Sequence, residues 1–522
     1  MPRAFRLGWL RFAACLGLLA CQRGPTQAAS QVAFQPAMRG PAAHAPDQCG
    51  YRFTVDKRLS ELSATLCCPR SRLAALEPTD DIAATLLRSA ARVSPDGTLL
   101  EPARVDGGGA VRFDEGSARA ENARGASAPE CAQYVVDLAR ATRSRSGLLG
   151  ARRREGALLI SPDLWLWRPT PLPRKLVARF ELPAGMQVAV PWPRSGEGYE
   201  IPPSAFNFRG QSAFGNLERS ELNLAGAEIE LVRVGSRGPA EPRLRAWLGD
   251  AGRAVSMVHG RVPAERALVL VLGESGRRRG FGLTLRGGGA SIVMLLGDAA
   301  DGADGAALAN DWTAVHELLH LGLPHTDPAD AWLREGLTTY YTTLSRARAG
   351  LISREQAWHE LLDGFERGKR TGTGRTLRDE SAAMHQSGAY WRVYWVGAAL
   401  ALLADVELRR AGARDGLDGP LRAIARCCAS SDELWDSERL ARELDRAAHV
   451  PVVERLAAKH LDEPRFPDLE PTTEFLGVHA LGSSNIDLDP KAPGAQIRDA
   501  IVPKPSLRIP RRGKRGPGLQ KK

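Results

Sequence analysis

The chain has 522 residues, 43% of them apolar and 25% charged, which is ordinary for a globular protein and enough for two or three domains with sizeable cores. Its formal charge of +11 is confined to the ends. Arg3, Arg6, Arg11 and Arg23 stand without an acid in residues 1–23, and residues 507–522 carry Arg508, Arg511, Arg512, Lys514, Arg515, Lys521 and Lys522. The body between is neutral, so charge gives no support to a nucleic-acid partner.

In chain order, three arginines and a short apolar run from Phe12 to Ala20 read as a signal segment, too short to span a bilayer. It ends Leu18-Leu19-Ala20-Cys21, which resembles a bacterial lipobox, so residues 1–21 are expected to be a signal peptide with Cys21 as a lipidated membrane anchor. The alternative is an ordinary secretory signal cut near Ala28. Either way the protein is expected to leave the cytoplasm for the cell envelope, with the outer membrane favoured because Gln22 follows the cysteine. Residues 22–46, rich in Ala, Gln, Pro and Gly, read as a flexible linker. Beyond the leader lie Cys49, Cys67, Cys68, Cys131, Cys427 and Cys428. An even number in an exported chain favours disulfides, and Cys67 and Cys68 are expected to find different partners because adjacent cysteines pair only with strain.

Residues 47–236 read as a mostly β domain, with short strand patterns at 51–55, 133–137, 175–182, 187–190, 212–217 and 228–234. Leu164 to Pro169, with Trp165 and Trp167, supplies aromatic surface for its core. A Gly/Pro-rich break at 235–239 opens a second domain, residues 240–463. It begins with a helix pattern at 243–258, a buried strand at 267–272 and two strands around Gly287-Gly288-Gly289. Those glycines suit either a hairpin turn or close approach of another chain. Long helices are expected at 353–365 and 390–410, the latter holding a 14-residue apolar stretch that fits a buried helix and not a membrane span. Shorter helices follow at 417–427, 431–447 and 451–459, and residues 464–522 read as an irregular extension with a basic tail.

The chemistry lies in Ala314-Val315-His316-Glu317-Leu318-Leu319-His320. On a helix, residues four apart share a face, so His316 and His320 can aim both imidazoles at one metal ion, with Glu317 beside it as a general base. Catalytic zinc usually takes three protein ligands. Glu335 is the first candidate for the third, on a second helix that Asp327-Pro328 would start and that would run to about Tyr341; His325 and Asp327 compete with it.

His316-Glu317-Leu318-Leu319-His320 followed by Trp332-Leu333-Arg334-Glu335-Gly336 resembles the gluzincin metallopeptidases, closest to the bacterial glycyl aminopeptidase family and next to the alanyl aminopeptidase family. Tyr394-Trp395-Val396-Gly397 is similar to their Tyr-x-x-Gly phrase, so the resemblance implies that Tyr394 steadies an oxyanion, with His385 and Tyr390 as nearby stand-ins. The resemblance covers residues 50 to 460. It implies an α+β chain in which a β-sandwich-like domain precedes a thermolysin-like, mainly α-helical zinc peptidase domain. The expected function is hydrolysis of peptide or protein substrates by zinc, with aminopeptidase action open. Two departures stand out: only 14 residues separate His320 from Glu335, and 287–294 lacks the acid with which the aminopeptidases grip the substrate amine. The alternative is an inactive gluzincin-fold binding or assembly lipoprotein.

Overall fold

A computed structural model describes residues 48–68, 73–113, 130–144, 147–274, 280–297, 308, 311–482 and 485–504. Cys21, the linker and the basic tail lie outside the described residues.

The N-terminal part is built from sheets facing an aromatic core. An eight-stranded sheet has Gln48–Val55 and Glu61–Cys68 at its middle, flanked by Lys175–Glu181 and Glu130–Asp137. A four-stranded sheet, with Ala157–Ile160 and Ser212–Gly215 at its centre, closes the other side. Between them Tyr51, Phe53, Trp165, Trp167, Trp192 and Phe214 form one buried cluster. The two inner tyrosines spend their hydroxyls on the backbone that carries the tryptophans: Tyr51 donates to the Trp167 carbonyl at 2.6 Å and Tyr134 to that of Trp165 at 3.0 Å. This satisfies buried polar atoms that would otherwise cost about 1–3 kcal/mol each.

Alternation along a strand explains two of the disulfides. Cys67 and Cys68 are consecutive strand residues, so their side chains leave opposite faces, and they pair with Cys131 and Cys49 respectively. Cys427, by contrast, is bonded to its neighbour Cys428, at the end of helix Asp418–Cys427.

The second part is organised on a five-stranded sheet in the order Leu217–Leu224, Ala227–Val234, Arg266–Glu274, Ala290–Gly297 and Phe281–Leu285. The boundary expected at 236 is therefore corrected. The strands at 217–234 belong to this sheet and not to the β domain. Their alternating pattern is the same in either sheet, so sequence does not reveal the partner. Residues 267–272 are apolar without alternation because both faces are covered. Ala267, Val269 and Val271 face the helical core, whereas Leu268, Leu270 and Leu272 pack on residues of the four-stranded sheet. The Gly287–Gly289 turn seats against the N-terminal part: a Cβ at Gly289 would lie 2.3 Å from the Pro191 carbonyl oxygen, and one at Gly287 would lie 2.2 Å from that of Phe208. The close approach these glycines permit is thus to their own chain, at a hairpin turn.

Helices cover the outer face. The 19-residue helix Glu241–His259 lies under the motif helix Thr313–His320; beyond it come Trp332–Arg348, Arg354–Arg370 and Tyr390–Arg410. Ser353 caps the fourth of these through the Gln356 amide. The expected helix from Pro328 starts instead as a single 3-10 turn, Pro328–Asp330, capped by Asp327, and becomes α-helical at Trp332. Among the described residues no helix is long and apolar enough to cross a membrane. Helices Trp332–Arg348 and Tyr390–Arg410 touch backbone to backbone, because a Cβ on Gly336 would lie 2.3 Å from the Gly397 backbone and one on Gly397 would lie 2.1 Å from the Trp332 carbonyl oxygen.

Residues 464–503, expected to be irregular, instead carry helix Glu470–Leu476, a hairpin of Val478–Leu481 with Asn485–Leu488, and helix Ala495–Ile501. Each is too short to show a period. What fixes them is tertiary: Arg498 is buried and gives one guanidinium nitrogen to the carbonyls of Leu476, Gly477 and Asp489, while Ile501 and Val502 enter the helical core.

Gly397→Ala is expected to lower stability by about 2–3 kcal/mol through overpacking, read as a fall in Tm by thermal unfolding. An unchanged Tm would mean the two helices do not meet at that point.

Candidate active site

The motif helix is buried along its whole length, and its i, i+4 spacing turns His316 and His320 to one side. Their rings are 4.8 Å apart and nearly perpendicular. Helix Trp332–Arg348 crosses this side and adds Glu335, with one carboxylate oxygen, Oε2, 3.4 Å from Nε2 of each histidine. The ligand atoms of the three residues all lie within 4.8 Å of one another.

The competing third ligands lie elsewhere. His325 packs its ring on Phe208, 5.0 Å away, and Asp327 spends its carboxylate on the Ala329 amide. Burial and the nearby Arg334 and Arg286 guanidiniums push the His325 imidazole down to about 4, so it stays neutral. The 14 residues between His320 and Glu335 cross through a turn at 321–323 and the 3-10 turn Pro328–Asp330.

Two threonines decide which imidazole nitrogen is free. Thr338 Oγ1 donates to the Arg334 carbonyl at 2.8 Å, and Thr342 Oγ1 donates to that of Thr338 at 2.7 Å. With their only protons committed, these hydroxyls accept from the Nδ1–H groups of His320 and His316, each at 3.2 Å. Both histidines then present an unprotonated Nε2 to Glu335. This is the form a metal binds.

Arg334 holds the other Glu335 oxygen, Oε1, at 3.0 Å. Oε2 is buried and has no hydrogen-bond partner. Burial pushes the Glu335 carboxyl up, but the charges around it, the Arg334 guanidinium among them, hold the group well below the usual carboxylate range. Burial keeps His320 below its usual value despite Glu335. An ionised oxygen facing two imidazole lone pairs, with no proton between them, is a donor set that fits a divalent cation.

Glu317 lies on the flank next to the sheet. Thr284, on the edge strand Phe281–Leu285, donates to Glu317 Oε2 at 2.7 Å. The strand can come this close only because Gly282 has no side chain: a Cβ there would lie 2.3 Å from Glu317 Cγ. Tyr394 stacks on His316 with ring centres 6.2 Å apart at 12°. Burial, and then the Glu335 carboxylate, push its phenol well above the ordinary value, so it stays a donor. Of the stand-ins, His385 and Tyr390 hydrogen-bond each other at 3.2 Å, and Tyr390 meets Tyr394 edge-on.

The residues that sequence reasoning missed are Thr338, Thr342, Arg334, Gly282 and Thr284. The threonines do carry a signal: counted from Glu335, they fall three and seven residues on, so all three share a helix face.

Residues 325–397 match the family model of the M61 glycyl aminopeptidases. The aminopeptidase N family protein of Idiomarina loihiensis superposes with a TM-score of 0.63 at 14% identity, over 82% of this chain and 78% of that one. In fold the chain is similar to that protein, and over residues 325–397 it is similar to the M61 family. A zinc metallopeptidase of the M1 family from Deinococcus radiodurans gives a TM-score of 0.48 at 16% identity, over 83% of this chain and 97% of that one. The native LTA4 hydrolase of yeast gives 0.47 at 13% identity, over 86% and 70%. No curated protein matches the chain significantly. The likeness in fold rests on the Idiomarina protein.

Thr342→Val, which removes the acceptor of the His316 Nδ1–H, is expected to weaken zinc binding by roughly 10- to 100-fold, measured by competition with a chelating dye. Thr342→Ser should retain it, and equal affinity in the valine variant would refute the tautomer assignment.

Proposed function

We propose that the chain is an exported zinc-dependent peptidase that hydrolyses peptide bonds with Glu317 as general base. The observation that carries this reading is the buried, unpartnered Oε2 of Glu335, placed 3.4 Å from both Nε2 atoms.

His316, His320 and Glu335 hold the ion. Zinc bound there supplies Lewis acidity, lowering the pKa of water toward ~7 and polarising the scissile carbonyl. Glu317 takes the proton from the attacking water and returns it to the leaving amine. Thr284 Oγ1 lies 2.7 Å from Oε2 of Glu317 and 2.9 Å from its carbonyl oxygen, which seats the carboxylate against the edge strand. Tyr394, kept protonated, donates to the developing oxyanion, a contribution of roughly 3 kcal/mol to barrier lowering. Among the described residues the edge strand Phe281–Leu285 pairs with Ala290–Gly297, and its outer edge is the one an extended peptide would join.

Export and a lipid anchor at Cys21 belong to the same proposal. The pairing of Cys49 with Cys68 and of Cys67 with Cys131 supports an oxidising compartment, and the apolar run ending at Cys21 supports a leader.

Glu317→Gln is expected to keep one zinc and lose turnover roughly 10³-fold, whereas Glu335→Ala loses the metal. Zinc content by atomic absorption and cleavage of a peptide library by mass spectrometry check both. Full hydrolysis by the glutamine variant would sink the base assignment, and equal zinc in the alanine variant would sink the ligand set.

A further inference from the structure

A row of rings crosses the site. Trp312, at the N-cap of the motif helix, meets His316 edge-on with centres 5.4 Å apart; His316 stacks on Tyr394 at 6.2 Å; Tyr394 meets Tyr390 edge-on at 6.4 Å. The two middle rings belong to the site already described. The two end rings are open to solvent, Trp312 by 38% and Tyr390 by 40%.

A third exposed ring stands on the strand side. Phe281, 47% exposed, opens the edge strand. The start of that strand is tied to the start of the motif helix by Asp311, which accepts from the Gly280 amide at 2.7 Å with one oxygen and from the Thr313 amide at 2.8 Å with the other. Phe281 and Trp312 are therefore each one residue from the same tie.

This clustering is selective. Ten large apolar side chains are exposed among the described residues, and the aromatic ones are Phe281, Trp312 and Tyr390. The other seven, from Leu99 to Leu481, are aliphatic. Single exposed apolar residues are normal on a surface, but exposed aromatic side chains in ring contact with His316 and Tyr394 mark a binding surface. Tyr390 is also held in place, since its hydroxyl is hydrogen-bonded to His385 at 3.2 Å. A ring fixed in this way loses little freedom when a ligand packs on it.

We propose that the site selects peptides with bulky apolar side chains, aromatic ones above all, flanking the scissile bond, and that these pack on Trp312 at one end and on Tyr390 at the other. The proposal rests on the peptidase reading for the bond cleaved, and on the ring row for the side chains chosen.

The test uses the zinc-loaded full chain and two fluorogenic peptides, identical except for Phe or Asp on both sides of the cleavable bond. Wild type is expected to favour the Phe peptide in kcat/KM by about tenfold or more, and Trp312→Ala and Tyr390→Ala each to shrink that ratio several-fold with zinc content and Tm unchanged. Binding of the same peptides to zinc-loaded Glu317→Gln, followed by calorimetry, separates the two readings. Preference for the Phe peptide there, lost on adding Trp312→Ala, supports the proposal even if wild type cleaves neither peptide, which would count against the peptidase reading alone. Equal cleavage of both peptides, an unchanged ratio in both alanine variants, or no binding preference in the glutamine variant overturns it.

Discussion

The contact between Gly336 and Gly397 fixes most of what surrounds the site. Helix Trp332–Arg348 has to serve two neighbours at once. Glu335, Thr338 and Thr342 form the stripe turned to the motif helix, while Gly336 and Tyr340 form the one turned to helix Tyr390–Arg410. Any side chain at either glycine would push the long helix outward and carry Tyr394 away from His316, one turn from the crossing. The glycine in each motif is therefore a spacing device. It keeps the Glu335 carboxylate and the Tyr394 phenol close enough for the one, added to burial, to hold the other protonated.

Buried charge elsewhere in the chain shows how unusual Glu335 is. Glu380 is ion-paired with Arg392 at 3.0 Å, and its other oxygen accepts from the amide and hydroxyl of Thr373. Asp405 accepts from Tyr340, Arg409 and the Leu417 amide. In both cases each carboxylate oxygen has a donor, as burial demands, since an unpaired buried charge costs several kcal/mol. Glu335 departs from this pattern at one oxygen only, and that oxygen is the one facing the two imidazoles. Compensation is complete at Glu380 and Asp405 and stops short at Oε2 of Glu335.

Much of this was legible in the sequence, for reasons that also mark where legibility ends. The histidine pair follows from helical periodicity alone, and the ends of helix Tyr390–Arg410 coincide with the apolar pattern. Strand alternation separates Cys67 from Cys68, but nothing local distinguishes that pair from Cys427 and Cys428, which are joined to each other at a helix end. Residues 228–234 read as a strand, 218–224 do not, and both fall on the wrong side of the expected boundary, because a strand's pattern records that it has a buried face and not which sheet buries it. Thr284 and Gly282 carry no local signal at all. Their importance comes from lying against Glu317, thirty-odd residues later in the chain.

The short loop between the two donor-bearing helices might have been thought too tight for Glu335 to reach; instead, its brevity is what holds the site together. Closing a short loop costs little entropy, and what remains free in it is tied at both edges. Trp435 brackets the loop, its amide donating to the His325 carbonyl and its carbonyl accepting from the Asp327 amide, both at 2.9 Å. Ser437 bonds Asp330, and its hydroxyl also accepts from the Trp332 indole at 2.9 Å. From the other side Arg286, directly after the edge strand, gives its guanidinium to the carbonyls of His320, Leu323 and Ala429. One buried arginine thus joins the strand that carries Thr284, the end of the motif helix and the segment that brackets the loop. Burial holds that guanidinium down to about 10, still charged at neutral pH, so three carbonyls share a full positive charge. His316, His320 and Glu335 are thus held by side-chain and backbone bonds from the surrounding chain, which fixes their mutual geometry.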